Sequence, residues 1–185
     1  MRPVSYALEL VPALDRPDLL AEPVRDAIAA LGPVGGSVQV AEIDPELADT
    51  VAFCERYRVP AAESANCVLV AGKRGGETRM AAAMVLATTR ADVNGALRRL
   101  LDVRKASFAS RDVATGSTGM EYGGITPLGL PEGWPVYVDG AVAAAARVVI
   151  GSGVRRSKLV LAGTVLAALP AATVVDELAV PVGAA

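Results

Sequence analysis

No histidine occurs among the 185 residues. That absence removes Ser-His and Cys-His nucleophilic catalysis, histidine general-base chemistry and the usual histidine-containing zinc sites together. Any catalysis must use carboxylates, lysine, backbone dipoles or groups of the substrate itself. Cysteine is almost as scarce. Cys54 and Cys67 make no disulfide framework and match no zinc-ligand spacing, so a reduced, cytoplasmic setting is the default expectation. Cys67 opens an apolar run with no evident base beside it and reads as a buried structural thiol rather than a nucleophile. Aromatic residues supply only 4% of a chain that is 52% hydrophobic, so the core must be built from closely packed Ala and Val. The most apolar stretch, Met80 to Thr89, falls far short of the roughly 20 residues of a membrane-spanning helix. The start, Met1-Arg2-Pro3-Val4, lacks the basic region and apolar run of a secretory signal, and none is expected. An excess of positive charge is missing too. With 18 Lys and Arg against 20 Asp and Glu, the net charge is -2, so any RNA contact must be local, and no DNA partner is expected.

What is present alternates between helical and strand-like patterns. Asp18 to Leu31 carries apolar residues at helical spacing and stops before Gly32-Pro33. Ser37 to Ile43 alternates as a strand does. Pro45 stands near the first turn of a helix that places Leu47, Val51 and Cys54 on one face and stops near Pro60. Cys67 to Ala71 and Met80 to Thr89 form a β-hairpin about the turn Gly72-Lys73-Arg74-Gly75-Gly76. A helix over Asp92 to Leu101, a short strand over Lys105 to Phe108 and one helical turn over Arg111 to Ala114 follow. Strands are expected at Val136 to Val138, Val148 to Ile150 and Leu159 to Leu161, then a short helix through Val165 to Leu169 and a last strand near Val174. The fold class is α/β in the α+β sense: a single domain with a mixed, largely antiparallel central sheet flanked by helices. Hairpin connections argue against a doubly wound sheet. Residues 1–58 are expected to form a helix and strand extension packed on the same core as residues 59–185.

Between these packed regions lies Gly116-Ser117-Thr118-Gly119-Met120-Glu121-Tyr122-Gly123-Gly124-Ile125-Thr126-Pro127-Leu128-Gly129. Its glycines let a ligand approach the main chain, and Pro127 fixes one dihedral and removes one donor. Such a loop can offer N–H groups to a carbonyl or a developing oxyanion without a charged side chain, although glycine and proline also mark ordinary surface connections. Glu121 and Tyr122 read as exposed loop positions. The loop is followed by Pro135-Val136-Tyr137-Val138-Asp139, a strand ending in a carboxylate. Arg147-Val148-Val149-Ile150 is then a strand ending in Gly151-Ser152-Gly153.

A GxxPxG loop at Gly124, Pro127 and Gly129, a strand ending in Asp and a strand ending in GSG together resemble the YbaK/aminoacyl-tRNA deacylase family, over roughly Val59 to Leu178. Its members are free-standing relatives of the editing domain of bacterial prolyl-tRNA synthetases. The resemblance implies a YbaK-like fold and hydrolysis of the ester joining a wrong amino acid to tRNA, with the GxxPxG loop at the pocket. On that basis Asn66, Gly124 and Asp139 are the candidate catalytic residues. Gly123, Ile125, Pro127, Gly129, Gly151, Ser152 and Gly153 are the candidate substrate-binding residues. Arg155, Arg156 and Lys158, directly after the GSG turn, are candidates for holding a phosphate of the acceptor end. Lys73-Arg74, Arg98-Arg99 and Arg104-Lys105 read instead as solvated turns or helix ends. No metal and no cofactor are expected. The expected partners are aminoacyl-tRNA and an aminoacyl-tRNA synthetase, with no membrane.

The chain departs from the family pattern at one position. Family members with established deacylase activity carry a lysine where this strand begins with Asn66, and asparagine offers hydrogen bonds without formal charge. Lys73 is no substitute, since seven residues of strand separate it from Asn66 by on the order of 23 Å. Asp139 could orient a water or hold a substrate amine, or it could cap the turn at Gly140. Ser152 could donate to a ligand or close a tight turn, and Asn66 could bond local backbone. The leading function is a trans-editing aminoacyl-tRNA deacylase in which water is activated by the substrate's ribose hydroxyl or a backbone carbonyl. One alternative is a binding module for aminoacyl-tRNA or a nucleotide-like ligand that lost hydrolysis with the lysine. Another is a hydrolase of a different small ester or amide.

Overall fold

The computed structural model describes residues 6–182, so Met1-Arg2-Pro3-Val4 lies outside it. Its longest elements are the two strands of the expected hairpin, β3 (Ala65–Arg74) and β4 (Glu77–Leu86), preceded by β1 (Val11–Pro12) and β2 (Gln39–Glu42). Gly75 and Gly76 form the two-residue turn, with Arg74 opposite Glu77 and Asn66 opposite Val85. β4 reads Ala81-Ala82-Ala83-Met84 at its centre, all fully buried. Small side chains there let both faces of the strand be covered closely.

A five-stranded sheet is built around this hairpin. β6 (Ala106–Phe108) pairs antiparallel with β3, while β7 (Val136–Asp139) runs parallel to β4 and β10 (Ala172–Val175) parallel to β7. The sheet order is β10-β7-β4-β3-β6. It is more parallel than hairpin-based expectation suggests, because the chain leaves β4 through a long excursion before returning beside it. A four-stranded antiparallel sheet, β1-β2-β9-β8, contains β8 (Val148–Gly151) and β9 (Ser157–Leu161). A short β5 (Thr89–Ala91) pairs with β11 (Ala179–Pro181).

Strand alternation sorts the side chains into three apolar clusters. Leu69, Ala82, Met84, Val136 and Val138 of the first sheet meet Val148, Ile150, Leu159 and Leu161 of the second, closed at one side by Val24 and Ile28 of α1 (Glu22–Ala30). The other face of the first sheet, with Val70, Ala83 and Val85, lies under Leu97 and Leu101. The other face of the second sheet, with Val149 and Val160, lies under Phe53 of α2 (Thr50–Tyr57). Helices therefore flank two sheets in a mixed α/β arrangement.

Local chemistry explains where the helices depart from the sequence-based expectations. The helical pattern over Asp18 to Leu31 splits into a 3-10 turn at Pro17–Leu19 and α1, which Pro23 starts in its first turn. Asp92 caps the next helical stretch, accepting from the amides of Gly95 and Ala96 at 2.9 and 2.8 Å. The first five residues of that stretch, Val93–Leu97, are a π-helical turn, followed by α3 (Arg98–Leu100). The single turn expected at Arg111 is a longer helix, α4 (Arg111–Thr118), capped by Ser110 and ended by left-handed Gly119. The first three residues of the glycine-rich segment are thus helix, and its loop begins at Gly119. Two short helices, α5 (Gly140–Ala143) and α6 (Gly163–Ala167), follow β7 and β9. No helix among the described residues is long and apolar enough to cross a membrane.

Candidate active site

A cavity of about 240 Å³ opens where the two sheets meet. A parallel bridge between Ser64 and Val149 brings the start of β3 beside β8. The pocket is lined by Ala65, Asn66 and Cys67 of β3, by Ala48, Asp49 and Thr50 entering α2, by Tyr122, Gly123 and Ile125 of the loop, and by Gly151 and Lys158. The loop is held there by its own main chain. Gly153 N–H donates to Gly124 O at 2.7 Å, Glu121 N–H to Gly153 O at 2.8 Å and Gly124 N–H to Glu121 O at 2.9 Å. The approach is close enough that a Cβ on Gly151 would stand 2.4 Å from Gly124 O and 2.6 Å from Ile125 O. The GSG turn and the GxxPxG loop therefore fit as backbone against backbone.

Asn66 lies in this pocket, and its Oδ1 accepts from Thr50 Oγ1 at 2.8 Å, leaving its Nδ2 with no hydrogen bond among the described residues. Gly123 and Ile125 both line the pocket, and the amides of these two residues make no hydrogen bond among the described residues. The Gly124 amide is already engaged by Glu121, so the donors available to a ligand come from its neighbours. Cys67 faces the pocket rather than being sealed away. Burial among apolar neighbours pushes its thiol up to about 12, so it carries no thiolate near neutral pH.

Lys158 departs most from the phosphate-holding cluster expected of Arg155, Arg156 and Lys158. Its Nζ donates to Ala48 O at 3.0 Å and stands 5.3 Å from the centre of the Phe53 ring, inside the pocket. Burial first, and the Arg155 charge second, bring its pKa down to about 8, with Cys54 and Asp49 pulling the other way. Arg155 ties the loop together: its guanidinium donates to Tyr122 O and Pro45 O at 3.2 and 3.1 Å, and its amide donates to Glu121 Oε2 at 2.6 Å. Arg156 is exposed and donates to Asp18 O. Tyr122, read as an exposed loop residue, is 52% exposed at the pocket lip, with the Arg111 guanidinium 4.9 Å from its ring centre.

Several expected site residues fall outside this pocket. Asp139 is buried, and its carboxylate accepts from Ala141 N at 3.0 Å, which makes it the cap of α5. Ser152 is fully buried, 2.7 Å from Ser157 Oγ and bonded to the Val154 and Ser157 carbonyls, so it closes a turn. Gly153 packs against Ala21 and Val24. Pro127 and Gly129 line a separate, largely apolar cavity with Leu128, Trp134 and residues of α1. Sequence reasoning missed Ala48, Asp49 and Thr50, which carry no motif. It also missed the inward course of Lys158, for which β9 holds a signal: Leu159, Val160 and Leu161 mark it as a buried strand.

Residues 44–169 match the model of the aminoacyl-tRNA editing domain, and the chain belongs to that family, as its YbaK-like fold and loop geometry indicate. A candidate trans-editing enzyme for prolyl tRNA synthetase shares 22% identity, with a TM-score of 0.71 over 84% of this chain and 94% of that one. The hypothetical protein APE2540 shares 18% identity, with a TM-score of 0.73 over 86% of this chain and 100% of that one. At these identities the two structures speak to fold alone. No curated protein matches.

Proposed function

We propose that this protein is an aminoacyl-tRNA deacylase acting in trans, which uses water to cleave the ester between a wrongly attached amino acid and the tRNA 3′ end. The observation that carries this reading is the pocket of an editing-family chain, walled by Gly123 and Ile125 of the loop and by Asn66. Unengaged amides at Gly123 and Ile125 are suited to an ester carbonyl or the terminal ribose, and they need no reorganisation as charge develops. Histidine is absent and the Cys67 thiol is held protonated, so the attacking water is activated by the substrate's own ribose hydroxyl or oriented by a backbone carbonyl. A cavity of about 240 Å³ walled by Ala48, Ala65 and Gly151 favours a small side chain. Steric exclusion of larger residues is effective, whereas one methylene is worth only roughly 1–3 kcal/mol. The bound form is aminoacyl-tRNA, presented with or without its synthetase.

Incubation with tRNAs charged with a panel of labelled amino acids tests this. Hydrolysis of one or a few species bearing small amino acids, above the rate of the ester alone, is the expected result. Tight binding with no hydrolysis across the panel would instead favour a binding module without chemistry.

A further inference from the structure

We propose that Lys158, from β9, contacts the aminoacyl ester and supplies to this pocket the positive charge that Asn66 on β3 does not. The inference rests on the deacylase reading above. An ammonium carries three N–H donors, and Lys158 spends one on Ala48 O. No carboxylate lies within ion-pair distance of it among the described residues. A lysine withdrawn from water without a carboxylate partner is costly to the fold, and its contacts with Ala48 O and the face of the Phe53 ring offset only part of that cost. Its position is accounted for if the remaining donors meet a ligand group that becomes negative. In ester hydrolysis that group is the carbonyl oxygen.

The chemistry balances without a further reactant. Water oxygen bonds to the ester carbon, and the carbonyl π pair moves onto oxygen, where the ammonium and the loop amides stabilise it without transferring a proton. Collapse re-forms the carbonyl and breaks the bond to the ribose oxygen. One proton of the water ends on that ribose oxygen, and the other is released as the amino acid leaves as its carboxylate. Only the charged form of Lys158 can act in this way. The groups around it are Asp49 and Cys54 on the α2 side, Arg155 on its own turn and Cys67 on β3. Burial and Arg155 lower its pKa to about 8, and Cys67 is neutral throughout the range of interest.

The experiment compares the wild-type protein with Lys158→Met, Lys158→Gln and the double variant Asn66→Lys/Lys158→Met on the charged tRNA panel, with thermal melts of each. The expected result is a fall in kcat of about 100-fold for both single variants, with KM within about threefold. The double variant, which returns the charge to β3, should recover at least about tenfold. Wild-type kcat, corrected for uncatalysed hydrolysis, should decline as pH rises through about 8, and the single variants should lack that limb. If the variants hydrolyse at the wild-type rate, or if wild-type kcat is flat from about pH 6.5 to 9.5, the role of Lys158 is overturned and the deacylase reading stands. Should the wild-type protein cleave no charged tRNA, the deacylase reading fails and the inference fails with it. The pH profile needs no variant, so a misfolded substitution cannot mask the answer.

Discussion

Gly123 and Ile125 line the polar pocket, whereas Pro127 and Gly129, a few residues on, line an apolar cavity against α1 and Trp134. One loop thus has a pocket-facing half and an anchoring half. The first half leaves amides unengaged, and the second buries Leu128 and brings Gly129 against the Pro23 carbonyl. Adjacent residues of a recognisable motif can therefore owe their identity to different requirements. Substitutions should separate them, the anchoring half acting on stability and the pocket half on hydrolysis.

The strongest test of that division is Gly129→Ala. Gly129 has φ of 80°, and an added Cβ would lie 2.3 Å from Pro23 O, which is backbone and cannot move aside cheaply. A loss of about 3 kcal/mol is expected, seen as a fall in melting temperature of roughly 10 °C. If Gly129→Ala melts like the wild type and loses hydrolysis instead, the two halves are not distinct.

The pocket half can be examined through the pH dependence of stability. The folded pKa of Lys158, about 8, lies below the ordinary value of 10.5, so the unfolded chain binds more protons between these values. This group therefore makes the protein more stable as pH rises from about 8 towards 10.5, and its penalty is fully present below 8. Relative to Lys158→Met, the wild type should gain about 2 kcal/mol over that window, measured as the difference in urea unfolding free energy. Cys67 and Cys54, whose pKa values are raised by burial, act with the opposite sign; Cys67 cancels in the comparison, whereas Cys54, held lower by Lys158, is removed from it by making both proteins in a Cys54→Ala background.

Two smaller effects sharpen the outline of the site. Asp139→Ala should cost about 1 kcal/mol through loss of the α5 cap while hydrolysis stays within about twofold. A large loss of hydrolysis by a stable Asp139→Ala protein would return that carboxylate to the chemistry. Thr126 Oγ1 is buried with no hydrogen-bond partner among the described residues. Thr126→Val keeps the shape and removes the unsatisfied hydroxyl, so its melting temperature should be unchanged or slightly raised.

The β3–β4 hairpin was legible because two apolar runs flank a glycine-rich turn, but its strands reach further than expected and the turn shrinks from Gly72–Gly76 to Gly75 and Gly76. Faces of short helices were less legible. Val51, placed on the apolar side of α2, is 80% exposed, while Phe53 is buried, because two turns of helix do not constrain the direction of a face. Of the residues singled out from motif positions, Asn66, Gly123, Ile125 and Gly151 lie together at one pocket. Asp139 and Ser152 could not be told from a helix cap and a turn, since the same side chains serve both and only their partners distinguish them. Lys158 was grouped with Arg155 and Arg156 because a charge run records proximity in sequence and not direction. Pairing of β9 with both β2 and β8 is what turns it inward.

The hydrogen bond from Lys158 to Ala48 closes a span of 110 residues, and the pocket it crosses draws on five separate stretches of chain. Contacts of such long range form late and slowly during folding, because loop-closure entropy must be overcome before they contribute. A chain still emerging from the ribosome has no pocket until β9 has been made and has docked between β2 and β8. Acquisition of the pocket is therefore coupled to completion of the sheet, and refolding followed by hydrolysis should lag behind refolding followed by the β3–β4 hairpin.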